Sequence, residues 1–373
     1  GPPSGGVPGP SVAQFNRETY QFSSSWPLQQ VATRYQYLVL QSTQHSLVPI
    51  LHALEPNLKI LVYQSLPHTN ASAPSNLPTA TSCTDYRADL VAHGDWFLHD
   101  QSGQMIYAAH LTNHFVMDVG NPGYQVQCAV GATALAKQYG FDGVFWDVVM
   151  GRLDWAMSRG LTVPQYPTQA SWVGAMTSAL AYIAPALRRQ GLLSIGNLSG
   201  TPNVAVWQQW AGMLDGVEEE SWTDGGLGAA QQVPYWRSKL AELAWTQANG
   251  KYEIVHSYSG TESANTYGLA AMLLAANGYA SYSTSNTNYT SNENWFPEYS
   301  LAQQLGAPAG PYVVLRNGVY ERAFSNGIVL VNPSAVWVPT FSLGGGLYSG
   351  SGLSNASAAS LPPTSGLILL KTG

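Results

Sequence analysis

Two short stretches each place a carboxylate at the end of an apolar run. The first is GFDGVFWDVVMG, residues 140–151, in which Val144, Phe145 and Trp146 lead to Asp147. The second is LDGVEEESW, residues 214–222; aligning the two on their Asp-Gly pairs sets Glu220 where Asp147 falls. A charged group is costly to bury unless it is paired or has work to do. Two carboxylates flanking one bond are what glycoside hydrolysis requires. One is the nucleophile, or the base for water, and the other gives a proton to the leaving oxygen. The competing explanation is that each acid pairs with an arginine or a backbone amide in a loop. With only 15 Lys and Arg in the whole chain, such partners are scarce.

Side chains alternate faces along a strand. If Asp147 points inward, Phe145 and Gly143 point inward below it. The same register in the second stretch sends Glu220 and Glu218 inward and Glu219 outward. Glu218 competes with Glu220 for the acid role, since it would sit one layer deeper, where a drier setting raises a carboxyl pKa. Other polar groups at strand ends are candidates for substrate contact: Gln41, Tyr63, Gln64, Asp118, Asn197, Trp222, His256, Tyr258 and Tyr282. Each is weak alone, because strand ends ordinarily carry polar groups. Asp118, in MDVGNPGY, is the best of them; it would bind a hydroxyl or order Asn121 and the following turn. Arg152 and Asp154 follow Asp147 in its loop and either gate a site, with Arg152 touching substrate, or pair with each other. Trp96, Asp100 and His110 belong to a long polar stretch, and core packing is the expected fate of Trp96.

Strands must hold these groups, and the chain alternates short apolar runs with helix-length segments. The runs are YQYLVLQS, LKILVYQS, HFVMDVGN, FDGVFWDVV, LLSIGN, DGVEEES, YEIVHSY and YASYSTS. Eight strand–helix units in this order predict a (β/α)8 TIM barrel over residues 30–305, after an N-terminal extension, residues 1–29. An open doubly wound sheet is the alternative, but no glycine-rich dinucleotide turn follows the first strand. After residue 306 the period changes to short strands between Asn-Gly, Asn-Pro and Gly-rich turns, which predicts a small antiparallel β-sandwich over 306–373. Active sites of such barrels lie at the C-terminal ends of the strands, where Asp147 and Glu220 fall.

Composition narrows the partner. Hydrophobic residues make up 45% of the 373, enough for a large core, while charged residues are only 10%, against about 25% in an ordinary domain. A surface of Ser, Thr, Asn, Gln and Tyr suits a neutral carbohydrate substrate. A net charge of −6 argues against nucleic acid. No apolar run approaches the roughly 20 residues of a membrane span. Low charge leans toward secretion, and the opening GPPSGG reads as a protease-trimmed remnant ahead of which a signal would have stood. Cys83 and Cys128 are either one disulfide or two buried thiols. The chain lacks a Gly-x-Ser-x-Gly elbow, a Walker sequence and a His-Glu-x-x-His, and its eight His are dispersed, so neither a metal nor an organic cofactor is expected.

The order LEPNLKILVYQS, WFLHDQSGQMI, MDVGNPGYQ, GFDGVFWDVV, LDGVEEESW resembles the hypothetical glycosyl-hydrolase-like (β/α)8 barrels, in the grouping around α-amylases and α-galactosidases. The likeness covers roughly residues 30–300, and NGVYERAFSNGIVLVNPS resembles the β-sandwich tail of such enzymes. In the α-galactosidase-like branch the strand-four Asp is the nucleophile and a strand-six acid is the acid/base. The resemblance therefore implies Asp147 as nucleophile and Glu220 as acid/base in a retaining hydrolase. In α-amylases the acid lies on strand five, but here that strand ends in SIGNLSG with Asn197 and no carboxylate. A transglycosylase using the same residues and a non-catalytic carbohydrate-binding barrel are the alternatives.

Overall fold

The computed structural model describes residues 11–19, 27–73, 82–108, 111, 113–157, 160, 162–223, 229–258, 260–285 and 295–373. Its barrel strands are β1 (Gln14–Thr19), β2 (Tyr37–Leu40), β3 (Lys59–Ser65), β4 (Gly143–Asp147), β5 (Leu193–Asn197), β6 (Gly216–Glu219), β7 (Tyr252–Tyr258) and β8 (Ala280–Ser285). They close a barrel in the order β1-β8-β7-β6-β5-β4-β3-β2, and every pair with a defined register is parallel. With helices between the strands, this is the (β/α)8 barrel that the alternation predicts. By its contacts the chain groups residues 1–17, 34–36 and 219–373 in one unit and 18–33 and 37–218 in another.

Two strand assignments need correction. The stretch expected to be an N-terminal extension contains β1, a barrel strand. Its sequence QFNRET hides it, because the buried residues include Gln14, Asn16 and Arg17. Their side chains bond to backbone carbonyls of Gly278, Ser281 and Thr284. Conversely, HFVMDVGN does not enter the barrel. His114–Val116 pairs antiparallel with His68–Asn70 in a separate two-stranded sheet. The two errors cancel, so the strand of Asp147 is still fourth and that of Glu218 still sixth.

In the unit of residues 37–218, the repeated Asp-Gly pair has a structural reason. Asp142 Oδ2 accepts from the Ile60 backbone N–H at 2.8 Å and contacts His52 Nε2 at 2.9 Å. Asp215 Oδ2 likewise accepts from the Ser194 N–H at 2.9 Å, and its Oδ1 takes the Arg188 guanidinium. Each aspartate thus fastens the start of its strand to the strand before it. A Cβ at Gly143 would stand 2.3 Å from the Leu193 carbonyl, so that position admits only glycine. The helix before β4, Pro122–Tyr139, starts on Asn121, whose side chain caps the N–H groups of Gly123 and Tyr124, and stops on Gly140 at φ 77. A disulfide joins Cys83 to Cys128 on this helix. The helix before β5, Gln169–Arg189, is long and apolar enough to cross a membrane by length and composition alone. It buries Trp172, Met176, Leu180, Ile183 and Leu187 on one face, the i, i+4 stripe of a barrel helix.

The other unit carries β7, β8 and the C-terminal domain. Antiparallel sheets of six and two strands between Val313 and Lys371 share a core that includes Val319, Leu330, Val338, Leu361 and Leu369. Arg322, 4% exposed, donates to the carbonyls of Leu273 and Ala276 and to Asn277 Oδ1. A guanidinium at the end of helix Glu262–Leu273 satisfies carbonyls that lack helical partners and complements the helix dipole. The C-terminal domain is therefore clamped to a barrel helix through Arg322.

Candidate active site

Asp147 ends β4 with a half-buried side chain. Its Oδ2 accepts from the Tyr63 hydroxyl at 2.5 Å, and its Oδ1 from Asn197 Nδ2 at 3.0 Å and the Val148 N–H at 2.8 Å. Tyr63 rises from β3, and Asn197 ends β5, so the strands on either side of β4 each supply one donor. All three donors are neutral. Bonds to both oxygens lock the rotamer of a group that, when ionised, can only accept. Val148 reaches its position with φ at 60, the left-handed region that a β-branched residue avoids. That turn aims its N–H back at Asp147.

The ladder register sets the neighbouring row. Ser65 pairs with Asp147, Trp146 with Gly196, and Asn197 with Glu218. The row of Asp147 thus runs through Asn197 to Glu218, which is buried, rather than lying a layer above it. Glu219 points the other way. Its Oε2 lies 2.6 Å from Lys239 Nζ on helix Ala229–Ala248, and its Oε1 accepts from the Ser221 N–H. Glu220 follows the last strand residue and is half-buried in a turn. The next residue, Ser221, has its carbonyl held by the Tyr235 hydroxyl at 2.6 Å.

The remaining candidates scatter. Gln64 pairs with Trp146 on the face opposite Tyr63, is fully buried, and donates to the Tyr63 carbonyl. Gln41 is buried at the end of β2, and its N–H donates to Gln44 Oε1. Asp118 sits beyond the small antiparallel sheet instead of topping a barrel strand, and its Oδ1 accepts from the Tyr166 hydroxyl and the Gly120 N–H. Arg152 pairs with Asp154. Trp222 is buried, with its indole N–H on the Gly268 carbonyl, so it packs the core instead of offering a face. Tyr282 is fully buried and lies against Gly268 and Tyr299, on the helix side of β8. His256 is buried between Ser283 and Ser285, and burial with the Arg17 charge lowers its pKa to about 3. Tyr258 ends β7 with 40% exposure, edge-on to His256. Trp96 is buried against His93, and Asp100 organises an exposed turn with Ser102 and Gln104. His110 lies outside the described residues.

Sequence reading missed His68. It stands three residues past Ser65, the ladder partner of Asp147, and its Nδ1 lies 3.0 Å from Ser65 Oγ. Its Nε2 is 2.8 Å from the Ala156 carbonyl in the loop after β4. A carbonyl only accepts, so Nε2 carries the proton and Nδ1 accepts from Ser65. Burial lowers this pKa to about 4 and keeps the ring neutral. The lone His in LPHTN gave no spacing signal. Among the described residues no group of three His, Cys, Asp or Glu is gathered as a metal centre would need.

Comparisons with known proteins agree with this fold. Residues 52–328 match the model of hypothetical glycosyl hydrolase family 15. No curated protein is detectably similar in sequence. An α-amylase from Lactobacillus plantarum superposes with a TM-score of 0.56 at 9% identity, over 97% of this chain and 99% of that one. Eubacterium rectale Amy13B gives 0.53 at 10%, over 99% and 97%. The α-galactosidase from Lactobacillus brevis gives 0.51 at 10%, over 96% of this chain and 55% of that one. At such identities the likeness is one of fold.

Proposed function

Because the chain belongs to hypothetical glycosyl hydrolase family 15 and is a glycoside hydrolase, we propose that it cleaves a neutral poly- or oligosaccharide with retention, using Asp147 as nucleophile. The observation that carries this reading is the carboxylate at the end of β4, fixed among the described residues by three neutral donors and no cation. A nucleophile must be presented in one orientation toward an anomeric carbon, and Tyr63, Asn197 and the Val148 N–H do that. Asp147 attacks, the glycosidic bond breaks, and a strand-six acid protonates the leaving oxygen. The same residue, now a base, takes a proton from water, which releases the sugar from Asp147. Glu219 is excluded from the acid role by its pairing with Lys239. Glu220 is assigned that role, with Glu218 as the alternative. Two carboxyl groups suffice for this chemistry without a metal. The Cys83–Cys128 disulfide supports secretion, since such bonds persist in oxidising compartments.

The test is proton NMR of the first-formed anomer, followed by the two Gln variants. Retention gives a product with the anomeric configuration of the substrate; the opposite anomer would replace this mechanism with a single displacement. Glu220→Gln is expected to lose turnover on natural glycans but keep activity on aryl glycosides whose leaving group needs no proton. If Glu218→Gln shows that pattern and Glu220→Gln does not, the acid is Glu218.

A further inference from the structure

The fold holds Trp155 firmly and leaves much of it open. The loop after β4 is tied down on several sides. Gly151 N–H donates to Thr201 Oγ1, and the Trp172 indole to the Met150 carbonyl. His68 takes the Ala156 carbonyl, and Ala108 bridges Met157. Leu153, Ala156 and Met157 are buried, yet Trp155 between them is 45% exposed. A single exposed tryptophan is ordinary. Its mounting is not. The Arg152 guanidinium lies 4.5 Å from the ring centroid, and Asp154 grips that guanidinium through both Nε and Nη2. At Gly200 a Cβ would come within 3.3 Å of Trp155 Cε3 and 2.8 Å of Met150 Cβ, so glycine lets the two loops approach closely beside the indole. The indole is therefore pre-organised, and a ligand that stacks on it orders little that was not already ordered.

We infer that Trp155 is a stacking platform that takes one neutral pyranose ring of the glycan chain on the indole face opposite Arg152. A pyranose presents a face of C–H bonds. An indole offers a large apolar area with a negative π face that attracts them. Asp154 neutralises Arg152, so the platform carries no net charge, which fits a neutral ring better than a uronate or an amino sugar. Trp155 follows Asp147 by eight residues in the same loop. His68 couples that loop, through Ala156, to Ser65 beside Asp147. Asp154, with Leu153 and Met157, also lines a hollow of about 230 Å³, so there is open space beside the loop that carries Trp155. The inference rests on the reading of the β4 end as the place where glycan is bound and cut.

The test uses Asp147→Asn as a non-turning-over background. A neutral glycan array, then affinity electrophoresis on whichever array glycan is retained, compares D147N with D147N/W155A and D147N/W155F. The expected result is binding by D147N, about tenfold weaker binding by D147N/W155A, and most of the loss recovered by phenylalanine. Equal binding by D147N and D147N/W155A, or no neutral glycan bound by any of them, overturns the platform. The otherwise unaltered protein separates the two proposals. Hydrolysis of the retained glycan with a KM that W155A leaves unchanged removes the platform and keeps the hydrolytic reading. Trp155-dependent binding without release of reducing sugar keeps the platform and removes that reading.

Discussion

Asp147 and Glu219 are both carboxylates at the ends of parallel strands, and the protein treats them in opposite ways. Asp147 is half-open and, among the described residues, held only by neutral donors, a tyrosine hydroxyl, an asparagine amide and a backbone N–H. Glu219 is buried and salt-bridged to Lys239, which also contacts Glu242 at 3.0 Å. Burial works against the Lys239 ammonium, but Glu219 and Glu242 outweigh it and raise its pKa. Burial raises Glu242 to about 7 and Glu253 well above its usual range. The Thr246 hydroxyl donates to Glu253 Oε2 at 2.6 Å, which opposes that rise without cancelling it. The difference teaches how to tell the two kinds of acid apart. If Asp147 is the nucleophile proposed above, a carboxylate kept for chemistry is oriented by groups that do not neutralise it, whereas a structural one is given a cation or a proton.

The sharpest way to break this contrast is to remove each charge. Asp147→Asn is expected to lower kcat by about 10⁴-fold or more while leaving the urea midpoint nearly unchanged; a variant that keeps substantial turnover would end the assignment. Lys239→Met should do the reverse. It strands Glu219 and Glu242 in the interior, for a loss of about 3–5 kcal/mol in chemical denaturation, and any fall in turnover should track the folded fraction. Glu242→Gln sharpens the comparison through pH. The folded pKa of Glu242 lies above its unfolded value, so the folded state holds the extra proton and the parent loses stability as pH rises from about 4.5 to about 7. The stability of the variant relative to the parent should therefore climb across that window, by at most about 3–3.5 kcal/mol, and flatten above it; a difference independent of pH would contradict the raised pKa. Tyr63→Phe is the mildest. Loss of one donor to a charged acceptor is worth about 1.5–3 kcal/mol, so kcat should fall about ten- to a hundred-fold with a small change in the denaturation midpoint.

The contrast also shows what the sequence can reveal. Asp147 was legible because an acid closing an apolar run breaks the pattern of a buried strand. The outward turn of Glu219 followed from period-two alternation alone. Gln64 and Tyr282 were misplaced because a polar residue near a strand end does not declare its face; Tyr63 and Gln64 are adjacent and cannot both look inward. Strand β1 was hidden because its buried Gln14, Asn16 and Arg17 bond to carbonyls, and hydrophobic periodicity cannot register a strand that buries polar groups. His114–Val116 misled for the opposite reason, being an apolar run buried in a satellite sheet. Asn197 and Tyr63 were expected to meet substrate, and in the structure both meet Asp147. His68 needed the folded chain, since it acts by joining two loops far apart in sequence.

Val148 carries a further consequence for anyone who would evolve this protein. Its left-handed backbone, at φ 60, costs a valine about 1–2 kcal/mol that glycine would not incur. A selection for heat tolerance alone should therefore enrich glycine at 148, whose looser turn no longer holds its N–H on the Asp147 carboxylate. A selection for turnover should retain valine. Heat-selected libraries are thus expected to drift toward sturdier but slower descendants at this position, and pairing the two selections would reveal how far rigidity next to Asp147 can be exchanged for durability.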